Sequence, residues 1–329
     1  MIDLANNLNC LGPPAGLVDF INKDTPNLLS NYPNDSAGEL TLEAIENSLE
    51  ITSGSLCITS GSTQAIEITS KIYNHKDVFI LKPTFWEYAH FNRKLNKSIH
   101  EIDILNNPDN IYTSINNTLK NYNKGTIYLC NPNNPTGQLI NKSEIVKLIE
   151  DYPSINFVID ETYLWFNEHY KSISLFKEAP KYNNCLVLMS ASKIYAVPGI
   201  RLGLVSSSTN TISNIRNHIT PFSVGNLQIH TLEHLVTNEY AYLKYSQKQN
   251  SDNVNRIYKT FNQLGIKYIP TSANFVFIED KAMKIANNFE KVGVKVRNGI
   301  DFGVDYQEFL RIKLWNQDLD NIIINVLKK

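Results

Sequence analysis

Ser190-Ala191-Ser192-Lys193, followed at a short interval by Pro198-Gly199-Ile200-Arg201-Leu202-Gly203, is the part of this chain best equipped for covalent chemistry. Lysine is the side chain that condenses with an aldehyde once its surroundings lower its pKa. Lys193 follows the apolar run Cys185–Met189, and ligands of doubly wound sheets bind just outside the carboxyl ends of such strands. Ser190 and Arg201 add a hydroxyl and a planar charged fork, which suit a phosphate ester. An isolated Ser-x-Ser-Lys is more often a loop with an exposed lysine. The glycine-arginine-glycine sequel is what moves the reading toward a site.

Four further segments carry groups that would serve the same chemistry. Phe157-Val158-Ile159-Asp160-Glu161-Thr162-Tyr163 is an apolar strand ending in a carboxylate. An aspartate there is often only a cap or turn residue. Its functional reading is a partner for the protonated nitrogen of a pyridine ring, keeping that ring an electron sink, with Tyr163 donating to the ring's phenolic oxygen. Cys130-Asn131-Pro132-Asn133-Asn134-Pro135-Thr136-Gly137 is either a plain tight loop or a rigid mount that aims the Asn134 amide at that same oxygen. Thr59-Ser60-Gly61-Ser62-Thr63-Gln64-Ala65 opens a helix after a strand, where free backbone N–H groups make an anion site. With Ser190 and Arg201 it would complete a phosphate cup. In Pro83-Thr84-Phe85-Trp86-Glu87-Tyr88 each aromatic is by itself better read as core, but a cofactor ring needs one face to stack on, and Tyr88 is the choice.

The elements that must position these groups alternate between strand and helix. Strands are expected at Ser55–Thr59, Asp77–Leu81, Thr126–Cys130, Asn156–Ile159, Cys185–Met189 and Gly203–Ser206, with helices at Leu40–Glu50, Thr63–Tyr73 and Lys142–Asp151. That pattern predicts an α/β domain around a mainly parallel sheet. After about residue 210 the pattern changes. Helices are expected over Leu227–Asn250, Asp252–Leu264 and Ala282–Val292, strands at Asn274–Ile278 and Glu308–Leu314, and a last helix at Leu319–Leu327. This order suggests a smaller α+β domain.

At 329 residues, with 42% hydrophobic and 19% charged residues, the chain can bury a large core. A formal charge of −1 gives no reason to expect nucleic acid or an anionic membrane as partner. No apolar run approaches the roughly 20 residues of a membrane span, and the N-terminus lacks a basic stretch followed by an apolar one. A cytoplasmic protein is expected. Cys10, Cys57, Cys130 and Cys185 lie far apart with no metal-ligand spacing, so no metal is expected. Of 31 basic residues only six are arginine (Arg93, Arg201, Arg216, Arg256, Arg297 and Arg311). A chain that uses lysine by default keeps arginine for sites needing a bidentate donor.

The five segments, in this order, resemble the fold-type-I, class I/II aminotransferases, and most of all the histidinol-phosphate aminotransferases and the threonine-phosphate decarboxylases. The resemblance implies the type I transferase fold that binds pyridoxal 5′-phosphate, with a large α/β domain over 16–210 and a small domain from 1–15 and 211–329. Lys193 then matches the Schiff-base lysine and proton shuttle, Asp160 the pyridinium partner, and Asn134 and Tyr163 the ligands of the phenolic oxygen. Gly61, Ser62, Thr63, Ser190 and Arg201 match the phosphate cup, and Tyr88 the stacking aromatic. Tyr32, in Asn31-Tyr32-Pro33, matches a tyrosine that reaches the neighbouring subunit's cofactor phosphate, which implies a homodimer with shared sites. Arg311 matches the arginine that grips the substrate carboxylate, and Arg297 a position that helps bind a substrate phosphate. Asn7 to Pro14 resembles the N-terminal segment of both subfamilies, with Leu11-Gly12-Pro13-Pro14 leaning to the decarboxylases. Two features depart from the pattern: the chain is short, and Leu314-Trp315-Asn316 stands where a glycine often follows the small-domain arginine. The resemblance favours transamination of a small phosphorylated amine with a keto acid. Decarboxylation of a phospho-amino acid is the alternative, and a non-catalytic cofactor-binding relative is the third reading.

Overall fold

The computed structural model describes residues 2–30, 32–33, 35–105 and 111–328. The apolar runs assemble into a seven-stranded sheet in the order Leu56–Ser60, Leu202–Ser207, Cys185–Met189, Ile155–Asp160, Gly125–Cys130, Asp77–Lys82 and Ser98–Asp103. Leu202–Ser207 is antiparallel to both neighbours, and the other pairings are parallel. Gly125–Cys130 and Cys185–Met189 are buried along their whole length, as strands covered on both faces must be.

Alternate side chains of the strands enter two different cores, following the two-residue period of a pleated strand. Phe79, Leu81, Ile127, Leu129, Phe157, Ile159 and Val187 join one, with Ile45, Ile145, Leu148, Leu232 and Leu235 from the helices over that face. Val78, Ile80, Tyr128, Val158, Leu186 and Leu188 join the other, with Ile66, Ile68, Ala89, Ile212 and Ile215. A third core surrounds a four-stranded antiparallel sheet in the order Arg297–Asn298, Phe309–Lys313, Phe275–Glu279, Tyr268–Ile269. The chain's beginning belongs to it: Ile2–Asp3 pairs with Val294–Lys295, and Leu4 is buried among Val276, Ile312 and Trp315. Among the described residues no helix is long and apolar enough to cross a membrane.

Three elements differ from expectation. Ser98–Asp103 forms the sheet's outer strand although only Ile102 in it is buried. An edge strand need not alternate, and its Glu101 instead pairs with Lys82 and Arg93. Ala15–Ser30 is a helix despite Pro26. The long helical stretch after 226 breaks at Glu239, giving Asn226–Asn238 and Tyr240–Leu264, and not near Ser251. The polar residues that suggested a break there are used inside the helix, where Asn250 Nδ2 donates to the carbonyls of Phe166 and Ala273.

Candidate active site

Five strands deliver their ends to one edge of the large sheet. Cys130, Asp160, Met189 and Ser60 close parallel strands there, and the antiparallel strand starts there, with Leu202 opposite Ser60. That reversal brings Arg201 against the start of the helix Gly61–Ile72. A Cβ on Gly61 would lie 2.5 Å from Arg201 Nη2, and one on Gly203 would lie 2.5 Å from the Gly61 carbonyl carbon. Gly61 also has φ +75°, so both glycines are needed for this approach. Among the described residues the N-cap Ser60 makes no side-chain bond to the first turn of the helix, which leaves the N–H groups of Gly61, Ser62 and Thr63 with the helix dipole and Arg201 at one point. Ser190 Oγ donates to the Leu202 carbonyl at 3.0 Å and so belongs to the same edge.

Lys193 lies in the short helix Ala191–Ile194, held from the N-terminal segment by the Asn9 N–H on its own carbonyl at 3.0 Å. Burial shifts its ammonium toward the neutral amine. The nearby cations Arg311 and Arg201 push the same way, and Glu87 opposes them. A lysine so placed is a nucleophile and a base at neutral pH more readily than a free one.

The turn after Cys130 is fixed by two of its three asparagines. Asn131 exchanges hydrogen bonds with the backbone of Ile140, and Asn133 donates to the Pro83 carbonyl and accepts from Thr84 Oγ1. The third, Asn134, is buried and accepts from Arg311 Nη1 at 2.6 Å. With its oxygen engaged, its two amide hydrogens are the groups it can still offer. Tyr163 is also buried; its hydroxyl accepts from Asn7 Nδ2 at 3.2 Å, and burial pushes its pKa up to about 12, so it remains a donor.

Asp160 is 4% exposed, with Oδ1 accepting from the Thr162 N–H at 2.9 Å and Oδ2 from the Tyr88 hydroxyl at 2.8 Å. The expectation for Tyr88 needs correction. Its ring is 0% exposed, stacked on Tyr128 with centroids 5.5 Å apart. No face is open for a cofactor, because the residue lies behind Asp160. In the same segment Phe85 is only half-buried and meets Tyr88 edge-on at 5.7 Å. Glu87 was also not foreseen: its carboxyl is held toward the neutral form by burial, it bonds Thr63, and its Oε2 has no partner among the described residues.

The small-domain arginines stand together. Arg311 and Arg297 are direct partners across neighbouring antiparallel strands, which puts their side chains on one face. Arg311 is 6% exposed, lies between Phe275 and Phe302 at 5.4 and 5.5 Å, and donates to Asn134 and the Ala5 carbonyl. Burial lowers its pKa to about 10, and its Nε has no partner among the described residues. Arg297 lies 5.8 Å from the Phe302 ring and pairs with Asp301 at 3.0 Å. Nothing in the sequence singles out Phe302. Tyr32 stands apart, 81% exposed, with its ring 5.5 Å from that of Phe222; its neighbour Asn31 lies outside the described residues.

The family model for class I and II aminotransferases matches residues 2–325. The chain belongs to that family. A histidinol-phosphate aminotransferase of Moorella thermoacetica is 26% identical over all of this chain and 85% of its own length. Among solved structures, the histidinol-phosphate aminotransferase of Clostridium acetobutylicum superposes with a TM-score of 0.89 at 22% identity, over 100% of this chain and 98% of that one. The L-threonine-O-3-phosphate decarboxylase of Porphyromonas gingivalis gives 0.84 at 19%, over 100% and 98%. Pyridoxal 5′-phosphate is the cofactor of this aminotransferase family. The residues fit it: Gly61 and Arg201 form a cradle that any Cβ would fill, and the same sheet edge carries a half-buried lysine, a buried carboxylate and two buried donors, Asn134 and Tyr163.

Proposed function

We propose that this aminotransferase moves an amino group between a small phosphorylated amine and a keto acid, in the manner of a histidinol-phosphate aminotransferase. The observation that carries the reading is the 2.6 Å hydrogen bond between Arg311 Nη1 and Asn134 Oδ1. It joins the carboxylate grip to the amide assigned to the ring's phenolic oxygen, so a carboxylate on Arg311 is anchored at the ring's edge. With the carboxylate of an amino- or keto-acid partner held there by Arg311, the Cα proton would be the group left for Lys193 to move.

Pyridoxal 5′-phosphate, when bound, supplies the electron sink for the carbanion at Cα. The rest is done by this chain. Gly61, Ser62, Thr63, Ser190 and Arg201 would hold the cofactor phosphate, with Asp160 for the ring nitrogen and Asn134 and Tyr163 for the phenolic oxygen. Lys193 would be the covalent anchor; once the substrate's own amine has displaced it, its freed amine would be the base that takes the proton from Cα and returns it to the product. Arg311 would offer its Nε, unpartnered among the described residues, and an Nη to the substrate carboxylate. Arg297, which shares the Phe302 ring with Arg311, would serve the substrate phosphate by exchanging Asp301 for it.

The likeness to a threonine-phosphate decarboxylase supports a second reading, in which the carboxylate is turned perpendicular to the ring and lost. A homodimer is part of the proposal. Tyr32 and Phe222 project from the surface as adjacent aromatics, 81% and 66% exposed, beside a groove lined by Pro33, Leu42, Ile58, Ile219 and Pro221, where a second subunit would cover them.

The test is cofactor fate in a single turnover. Purified enzyme receives O-phosphoserine, O-phosphothreonine or histidinol phosphate singly, without keto acid. Conversion of the cofactor to pyridoxamine phosphate supports transamination and identifies the donor. Retained pyridoxal phosphate with release of carbon dioxide overturns it in favour of the decarboxylase.

A further inference from the structure

We infer that Tyr88 is a positioning residue for Asp160: its hydroxyl keeps that carboxylate ionised and aimed at the cofactor's ring nitrogen. The inference rests on the reading of Asp160 as the ring-nitrogen partner.

Asp160 closes an interior strand of the sheet and is 4% exposed. Removal from water favours the neutral acid, and a neutral acid cannot hold a proton on the ring nitrogen. Two donors oppose that tendency before any cofactor arrives, the Thr162 N–H on one oxygen and the Tyr88 hydroxyl on the other. The first is a backbone group of the turn itself. The second comes from another element, the helix Glu87–Lys94; the Thr162 side chain, in the turn itself, also favours the carboxylate.

The surroundings leave Tyr88 little other use. Its ring is packed between Tyr128 and the edge of Phe85, and Asn92 Nδ2 pins its carbonyl at 2.8 Å. Burial holds its hydroxyl far above the ordinary tyrosine pKa, so it is a donor at every working pH. The other titratable groups against it are Tyr128 and Cys130; burial raises the Tyr128 hydroxyl and keeps the Cys130 thiol neutral, while its Sγ turns to the Pro132 carbonyl at 3.3 Å. The Tyr88 proton therefore has one charged acceptor, Asp160 Oδ2. Arranged this way, the pair is a preformed anion with a fixed direction, and little reorganisation is needed when the cofactor enters.

The experiment uses Tyr88→Phe, which keeps the ring packing and removes only the hydroxyl, in holoenzyme carrying cofactor labelled with 15N in the ring. The 15N shift should move from the protonated toward the neutral pyridine position at neutral pH. Cofactor affinity should fall about tenfold, the value of one hydrogen bond to a charged group. In an Asp160→Asn background the Tyr88→Phe change should have no further effect on either readout. A ring-fluorinated tyrosine at position 88, a stronger donor, should lower the proton affinity of Asp160 and move the 15N shift at neutral pH further toward the protonated position, and it serves if the Phe variant fails to fold. A Tyr88→Phe enzyme with unchanged 15N shift and affinity overturns the inference, as does an equal effect of Tyr88→Phe in the Asp160→Asn background. If Asp160→Asn itself leaves the ring nitrogen protonated, the reading of Asp160 falls first and Tyr88 with it.

Discussion

Replacing Arg311 by lysine keeps the charge and removes the fork, and this separates geometry from electrostatics at the substrate carboxylate. The guanidinium has its donors divided among three directions: Nη1 to Asn134, Nη2 to the Ala5 carbonyl, and Nε without a partner among the described residues. A lysine ammonium is a point donor on a thinner stem, and cannot satisfy Asn134 and Ala5 while gripping a carboxylate with two parallel bonds. The substrate therefore loses about one charge-assisted hydrogen bond, ~1.5–3 kcal/mol, which is roughly 10- to 150-fold in kcat/KM. Phe275 and Phe302 still sandwich the position, so the fold should hold. The assay is stopped-flow measurement of the two half-reactions separately. The loss should appear only with a partner that carries a carboxylate, such as a keto acid. A phosphorylated amine with no carboxylate should react within about threefold of wild type. Equal losses in both half-reactions would show that Arg311 supports the site generally and does not read the carboxylate, and the assignment would be refuted.

Other outcomes follow from the same geometry. Arg297→Ala should reduce kcat/KM for a phosphorylated substrate by about tenfold, a modest loss because the side chain is 43% exposed and already paired with Asp301. Rates with an unphosphorylated analogue should not change, and unchanged discrimination between the two would count against a phosphate role. Lys193→Ala should leave no cofactor on the protein after borohydride reduction, read by peptide mass; a labelled peptide elsewhere in the chain would displace Lys193 as the anchor. Glu161 gives a pH prediction. Burial pushes its carboxyl up to about 7, against hydrogen bonds from the Leu175 N–H and Ser174 Oγ, where an ordinary glutamate is at 4.5. The folded protein thus holds a proton that the unfolded chain has released, so this contribution is complete below 4.5 and is lost as pH rises through 7. The gap corresponds to ~3 kcal/mol. In Glu161→Gln the urea midpoint should lose that part of its slope between pH 4.5 and 7, and an unaltered slope would rule the group out.

The strands that carry the site were legible because they are buried on both faces and end abruptly in polar turns. Gly125–Cys130 and Cys185–Met189 read as unbroken apolar runs followed by asparagine or serine. Ser98–Asp103 was not legible, since an edge strand satisfied by Lys82 and Arg93 needs no apolar alternation. The arginine count was informative beyond the site. Besides Arg201, Arg297 and Arg311, Arg256 reaches Asp320 and the Trp315 carbonyl, and Arg216 the Leu56 carbonyl at 3.0 Å. Each spans elements distant in sequence, work for which a forked donor is suited. Tyr88 shows the limit. Residue type announced an aromatic near the ring, but which of Phe85, Trp86 and Tyr88 turns inward depends on where the helix Glu87–Lys94 begins, and a phase error of one turn exchanges a ring face for a hydroxyl behind the site.

Trp315, in the stretch Leu314-Trp315-Asn316 that stands where a glycine often follows the small-domain arginine, is explained by the same packing logic. Its ring is 1% exposed, its Nε1 donates to Asp320 Oδ1 at 2.8 Å, and Arg256 lies 5.9 Å from the ring. The residue therefore anchors the last helix, Asp320–Leu327, onto the small sheet at the end of the strand that carries Arg311. Asn316 follows, accepting from Cys10 Sγ at 2.7 Å and from Asn253. Cys10 belongs to the N-terminal segment, and Asn7 in that segment donates to Tyr163. The stretch after the Arg311 strand thus links the terminal helix, through Trp315 and Asn316, to the N-terminal segment whose Asn7 donates to Tyr163. Arg311 itself keeps its bonds to Asn134 and the Ala5 carbonyl beside this stretch.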